Sequence, residues 1–195
     1  MSIIKSHDIT LRGDGITLKP LCDEHLPLLY KWNKDSEMLY WCEEDECEPH
    51  DEASVNGIWG SVSKSGAFCF LIEADDTPIG ECWLQKMNYN PALAMYDDGL
   101  DVRRIDMAIG EKAYWGKGFG TQAINLLKEF AFGKESVDIL HCMPNDYNER
   151  SWKMLEKCGF KRVLEEEIDL PKAKGKLRYH YRLTREEYEL KSTEI

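Results

Sequence analysis

The stretch EKAYWGKGFGTQAI, residues 111–124, sets glycine at 116, 118 and 120 and then runs into a helical pattern. Glycine is a poor former of helix and strand alike, so three of them this close point to a turn with a task. Two nucleotide-binding patterns fail here on spacing. A P-loop needs four residues between its first glycine and a Gly-Lys-Ser/Thr, and this chain has no such run. A dinucleotide fingerprint counted from Gly116 needs glycine at its sixth place, where Thr121 stands. What survives is physical: a strand ends, successive backbone N–H groups face one way, and a helix N-terminus follows. That constellation holds an anion such as a pyrophosphate, and the missing Cβ atoms let phosphate approach the backbone.

The neighbouring segments supply that strand and that helix. DVRRIDMAIG (101–110) alternates, with Val102, Ile105, Met107 and Ile109 apolar and a break in phase near its end. GTQAINLLKEFAFG (120–133) has the period of a helix, VDILHCM (137–143) is a short apolar strand, and NERSWKMLEKCGF (148–160) is a helix capped by Asn148 and stopped by Gly159. KRVLEEEIDL and KLRYHYRLT read as strands joined across PKAKGK, and Thr184 caps a terminal helix. Upstream, ITLRGDGITLKPL (9–21) is a hairpin signal about Asp14-Gly15, and DEHLPLLYKWN (23–33) is a helix with Asp23 as its cap. EEDECEPHDE (43–52), with its run of acids, is a loop leading into a helix near 52–63. AFCFLIEA and PIGECWLQKM flank the turn DDT as paired strands, and 88–100 is irregular. With no repeat and no linker, residues 1–195 read as one domain: a mixed α/β (α+β) fold, its helices covering a largely antiparallel sheet.

A chain of 195 residues that is 43% hydrophobic holds one substantial core. Its apolar runs are too short to span a bilayer and its start lacks the signature of a signal peptide, so a cytoplasmic protein without a membrane partner is expected, as a monomer or homodimer. The net charge of −11 argues against nucleic acid and mildly for a cationic partner. Seven scattered cysteines read as free thiols. Cys42, Cys47 and His50 lack a fourth ligand at matching spacing, so no metal is expected.

YWGKGFG after IDMAIG, followed downstream by PNDYNERSWKMLEKCGF, resembles the acetyl-CoA-binding core of the GNAT superfamily of N-acetyltransferases. The superfamily signature Gln/Arg-x-x-Gly-x-Gly/Ala has Trp115 at its first place, with Gly118 and Gly120 matching. The later element Asn-x-x-Ser/Ala, followed by a Lys-x-Gly-Phe, is matched by Asn148, Ser151, Lys157, Gly159 and Phe160. The likeness runs from about residue 16 to 190, and ITLKPLCDEHLPLLYKW, PIGECWL and IDMAIGEKAYWGKGFGT are most similar to the aminoglycoside 6′-N-acetyltransferase branch.

The resemblance implies roles. Backbone N–H groups from Lys117 through Gly118, Phe119 and Gly120 to Thr121 would hold the pyrophosphate of coenzyme A, and Trp115 and Gly116 belong to the same cofactor-binding set. Met107, Ala108 and Ile109 would pair with the pantetheine like an added strand, and Asn148 would touch its arm while capping its own helix; Lys157 completes the cofactor set. Asp106, an acid in an apolar run beside the thioester position, is the candidate to orient a cationic amine and take its proton. The tyrosine many relatives use to protonate the leaving thiolate is here Leu155, and the branch's aspartate after the preceding strand is Met143, which leaves that proton to water or to Tyr147. The acids of 43–52 with Asp97, Asp98 and Asp101, and the rings of Tyr40, Trp41, Trp59, Tyr89 and Tyr96, are candidates for an acceptor cleft. The function implied is acetyl transfer to a small cationic amine, an aminoglycoside first. The alternatives are a protein N-terminus, a polyamine, a metabolite amine, or acyl-CoA binding without turnover.

Overall fold

The computed structural model describes residues 2–46 and 48–192, excluding the side chains of Lys191 and Ser192. Eight strands form one sheet: β1 (Leu11–Arg12), β2 (Ile16–Pro20), β3 (Phe68–Ala74), β4 (Thr77–Lys86), β5 (Val102–Ala108), β6 (Ile139–Cys142), β7 (Lys161–Glu167) and β8 (Leu177–Thr184). Their order across the sheet is β1-β2-β3-β4-β5-β6-β8-β7, and every pair is antiparallel except β5 with β6. The expected mixed, mostly antiparallel architecture is the one observed.

Helices cover both faces. One face carries α5 (Phe119–Gly133) and α6 (Glu149–Lys157), and the other carries α1 (Leu26–Asn33), α2 (Ser36–Cys42) and α3 (Glu52–Lys64). β3 shows why its sequence is apolar throughout. Phe70 and Ile72 face Leu127 and Phe130 of α5, while Cys69 and Leu71 face Leu29, Trp32 and Trp59 on the other side. A single turn, α4 (Asn90–Leu93), interrupts the irregular segment after β4, and α7 (Arg185–Ser192) ends the described chain.

Two local readings change. Asp23 does not cap the first helix: its carboxylate accepts from the backbone N–H groups of Ile3 and Ile4 at 3.1 and 2.8 Å, tying the N-terminal segment down. Helix α2 had no counterpart in the sequence reading. Asp35 caps it, accepting from Glu37 N and Met38 N, and its turns bury only Met38 and Leu39, too few apolar positions for a clear period.

The feature that builds the site is a parting of strands. β5 and β6 pair only at Val102–Ile139 and Arg103–Leu140. β5 runs on to Ala108 while β6 stops at Cys142, and Pro144 beyond it has no N–H to give. The chain after β6 follows β8 instead, with Tyr179 N donating to Pro144 O at 2.9 Å. Residues 104–108 therefore have no strand partner on one edge. On its other edge the end of β5 presses against β4 at Gly80, where a Cβ would stand 2.2 Å from Ala108 O and 2.9 Å from Ile109 Cα.

Candidate active site

A groove of about 720 Å³ occupies the opening between the parted strands and reaches both faces of the sheet. Its first half belongs to the glycine turn. Gly116 and Gly118 sit at φ 72° and 89°, a left-handed region open to glycine at little cost. Gly118 is the N-cap of α5 and supplies no side chain, so the first N–H groups of this helix are left for a ligand. By contrast α2, α3 and α6 are capped by the side chains of Asp35, Asp51 and Asn148. Gly120 has a different reason for its size: a Cβ there would lie 2.9 Å from Met154 Sδ and 3.2 Å from Met107 Cε, so it sets how closely α5 packs on α6 and β5.

Met107 to Ile109, Trp115, Gly116, and Gly118 to Thr121 line this half, as do Asn148 and Lys157. Lys117 does not: it is exposed, its ammonium 5.4 Å from the centre of the Tyr114 ring. Trp115 braces the turn, its indole N–H donating to Ile109 O at 2.6 Å. The Arg150 guanidinium lies over Trp115 at 5.1 Å and over Trp41 at 5.2 Å, spanning from the turn to α2. With Lys153 and Lys157 it makes the wall formed by α6 basic. Asn148 is heavily engaged: its Oδ1 accepts from Ser151 N at 3.3 Å and its Nδ2 donates to Trp41 O at 2.8 Å. The cradle suits a pyrophosphate on a long thiol arm: open N–H groups, bare glycines, neighbouring cations and a strand edge without a strand partner.

The other half lies on the face that α1, α2 and α3 cover. In the β4–β5 register Glu81 stands opposite Ala108 and Trp83 opposite Asp106, so Glu81 and Asp106 project from one face on a diagonal. Asp106 is held by Arg104, whose Nε donates to Oδ2 at 2.6 Å and whose Nη2 bonds Oδ1. Glu81 is 9% exposed, and its Oε2 has no hydrogen-bond partner among the described residues. Burial, reinforced by the charge of Asp106, pushes its carboxyl well above the usual carboxylate range. Met38, Trp41, Ile58, Trp59 and Trp83 supply the walls, and Glu43 sits at the rim.

Several expected cleft residues lie elsewhere. Of the acids invoked, Glu43 alone lines the groove; Glu44 is bound bidentately by Arg178 at 2.6 and 2.7 Å, Asp97 and Asp98 are exposed, and Asp101 pairs with Arg103. The Arg178 clasp is reinforced where Glu46 N donates to Lys172 O and Lys174 N to Glu44 O, so the acidic loop is fastened to the turn between β7 and β8. Trp41 and Trp59 reach the groove, but Tyr40, Tyr89 and Tyr96 do not. Tyr96 bonds His141 at 2.5 Å, which bonds His180 at 2.9 Å, which bonds Glu166 at 3.0 Å, and Tyr89 bonds the same Glu166 at 2.5 Å. These polar groups cover the sheet beyond Asp106.

Tyr147 is also turned away. Its hydroxyl donates to Glu43 O at 2.6 Å, and burial pushes it up to about 12. Leu155 is buried and Met143 lines the wall, both apolar as their letters say. His50 pairs with Glu43 at 3.5 Å, Cys47 lies outside the described residues, and no cluster suited to a metal occurs among the described ones. No helix among the described residues is long and apolar enough to cross a membrane.

Sequence reasoning missed Glu81, Trp83 and Arg150. Glu81 did carry a signal, being the lone acid in the apolar run 79–84.

Comparison with known proteins places the chain. It is 24% identical over 162 residues to an N-acetyltransferase 9-like protein of Nematostella vectensis, covering 83% of this chain and 82% of that one. It is 24% identical over 165 residues to aminoglycoside N(6′)-acetyltransferase type 1 of Klebsiella pneumoniae, with the same coverage. A crystal structure of an aminoglycoside acetyltransferase with coenzyme A shares the fold at a TM-score of 0.72 and 22% identity, over 91% of this chain and 99% of that one. The model of the acetyltransferase (GNAT) domain matches residues 16–161. A match running from the first long strand into β7 takes in both halves of the groove, and the chain belongs to the GNAT acetyltransferase family.

Proposed function

We propose that this chain transfers an acetyl group from acetyl-CoA to a primary amine, with Glu81 taking the amine's proton and Asp106 orienting the amine. The observation that carries this is the groove itself. It leads from the uncapped start of α5, along the partnerless edge of β5, to two carboxyl groups on the far face of the sheet. Acetyl-CoA supplies an acetyl group already activated as a thioester.

The chain's own groups do the rest. N–H groups at the start of α5 bind phosphate, and the partnerless edge of β5 orients the arm that carries the thioester. An amine must be neutral to attack, so a base must hold its proton. Glu81 has an oxygen without a partner and a carboxyl whose proton affinity is raised, which suits a base working near neutrality. Asp106, the residue expected from the sequence, is committed to Arg104 and serves better to place the ammonium than to neutralise it. With Tyr147 bonded to a backbone carbonyl and Leu155 apolar, the departing thiolate takes its proton from water.

The finer acceptor expected from the sequence is the 6′-amine of an aminoglycoside. Its support is the likeness to the Klebsiella enzyme, so an aminoglycoside belongs among the amines to be assayed.

The cofactor half is tested by two matched variants. Gly118→Val and Gly66→Val each force a side chain onto a left-handed backbone, at φ 89° and 92°, with nothing within 4 Å of the new Cβ. Both cost about 1–2 kcal/mol of stability through backbone strain. Only Gly118→Val should also raise the KM for acetyl-CoA, by at least about tenfold, because its side chain enters the phosphate cradle; tenfold is about 1.4 kcal/mol. Equal KM values for the two variants would remove the turn from the cofactor site.

A further inference from the structure

The charges in the groove are unevenly shared, and that imbalance bears on what the acceptor is. Arg150, Lys153 and Lys157 belong to the cofactor half, where they face the coenzyme's phosphates, and Arg104 is the cation beside the acceptor's carboxyl groups. Three carboxyl groups line the groove, and two of them are already engaged: Asp106 is ion-paired with Arg104, and Glu81, buried with an unpartnered Oε2, is the group that takes the proton of the reacting amine. Glu43, the third, lies at the rim 3.5 Å from His50, and no further carboxylate among the described residues lines the groove for the several ammoniums of a polycation. The remaining acids of the acidic loop do not line the groove, and Arg178 takes up Glu44.

The walls of the acceptor half are apolar to match. Trp59 is 3% exposed and packs edge to face on Trp83 at 4.9 Å; Met38 is buried beside them, and Ile58 and Trp41 continue the surface outward. Each ammonium on a polyamine must shed water to enter, and without a facing carboxylate it recovers little. An aromatic or branched aliphatic body, by contrast, gains by leaving water against these rings.

We propose that the preferred acceptor is a primary amine carried on an apolar, ring-sized body with no second cation, its amine reaching Glu81 and Asp106 and its body lying against Trp59, Trp83 and Ile58. This rests on the acetyltransferase reading above and narrows it away from polycations. Such an amine can come from a free arylalkylamine or from the N-terminus of a peptide whose first side chain is aromatic.

The test compares kcat/KM for four acceptors at fixed acetyl-CoA: 2-phenylethylamine, a tripeptide beginning with phenylalanine, kanamycin and spermine. Calorimetry with coenzyme A, run alongside, reports the donor site separately. The expected result is a kcat/KM at least about tenfold higher for one of the two apolar amines than for either polycation, and whichever apolar amine leads identifies the source. Ile58→Glu, at an exposed position on α3, should lower kcat/KM for the apolar amine at least about fivefold, raise it for spermine, and leave coenzyme A binding unchanged.

Kanamycin or spermine turning over as well as the apolar amines would overturn the acceptor class while leaving the acetyltransferase reading intact. Coenzyme A binding with no transfer to any of the four would overturn this proposal, and failure to bind coenzyme A at all would overturn the reading beneath it.

Discussion

Replacing Glu81 with Gln is expected to lower kcat by about 10²–10³-fold while leaving the KM for acetyl-CoA close to its original value. The shape and packing of the side chain survive, and the ability to hold a proton is lost. The pH profile gives a second reading. In the original protein kcat/KM rises with pH as Glu81 gives up its proton, and in the Gln variant that limb of the curve disappears.

Stability should move the other way. Glu81 has a folded-state pKa raised by burial, first of all, and by Asp106 second. At pH above the usual carboxylate range the unfolded chain has released this proton while the folded chain still holds it. The fold therefore loses stability as pH rises from that range until Glu81 itself ionises. The Gln variant has no proton to lose, so its Tm should exceed that of the original protein at pH 8 and match it near pH 4. An unchanged kcat, or a slower rate traced wholly to weaker acetyl-CoA binding, would remove Glu81 from the chemistry.

Gly80→Ala should be the most damaging small substitution in the sheet. The added methyl would stand 2.2 Å from Ala108 O and 2.9 Å from Ile109 Cα, and backbone cannot swing aside as a side chain can. A cost of about 3 kcal/mol is expected, the upper end for overfilling a packed interior. In a domain of this size that lowers Tm by roughly 10 °C. The variant should also lose activity beyond its lost stability, because relieving the clash moves the end of β5 where the cofactor half begins. Gly57→Ala is the matched control. It lies exposed on α3 with nothing within 4 Å, and should stabilise by about 1 kcal/mol through helix propensity. If Gly80→Ala melts with the original protein, the close approach of β5 to β4 is not what the geometry says.

The cofactor half was legible in the sequence because its parts are neighbours along the chain. A strand, a glycine turn and a helix follow one another from 102 to 133, and local pattern is enough to order them. The acceptor half was not, because it is assembled from α2, α3, β4 and β5, whose side chains meet only through the sheet register. Acid content suggested the loop at 43–52 as its lining, yet composition cannot tell a carboxylate that faces a cavity from one that an arginine will occupy. Glu44 with Arg178 is that case. Tyr89 and Tyr96 went the same way, drawn off by Glu166 and His141. Asp23 misled for a related reason: it sits where a cap belongs, but Ile3 and Ile4 offered it N–H groups from a distant part of the chain.

The clasp between Glu44 and Arg178 joins residues 134 positions apart. Closing so long a span is slow, so the donor cradle should be complete in the folding chain before the opposite wall is latched. The same span makes that wall a separate unit of opening. Amide protons near Glu44 and Glu46 should exchange with solvent through a partial unfolding that leaves α5 protected. A catalyst built this way can loosen its choice of partner without loosening its hold on coenzyme.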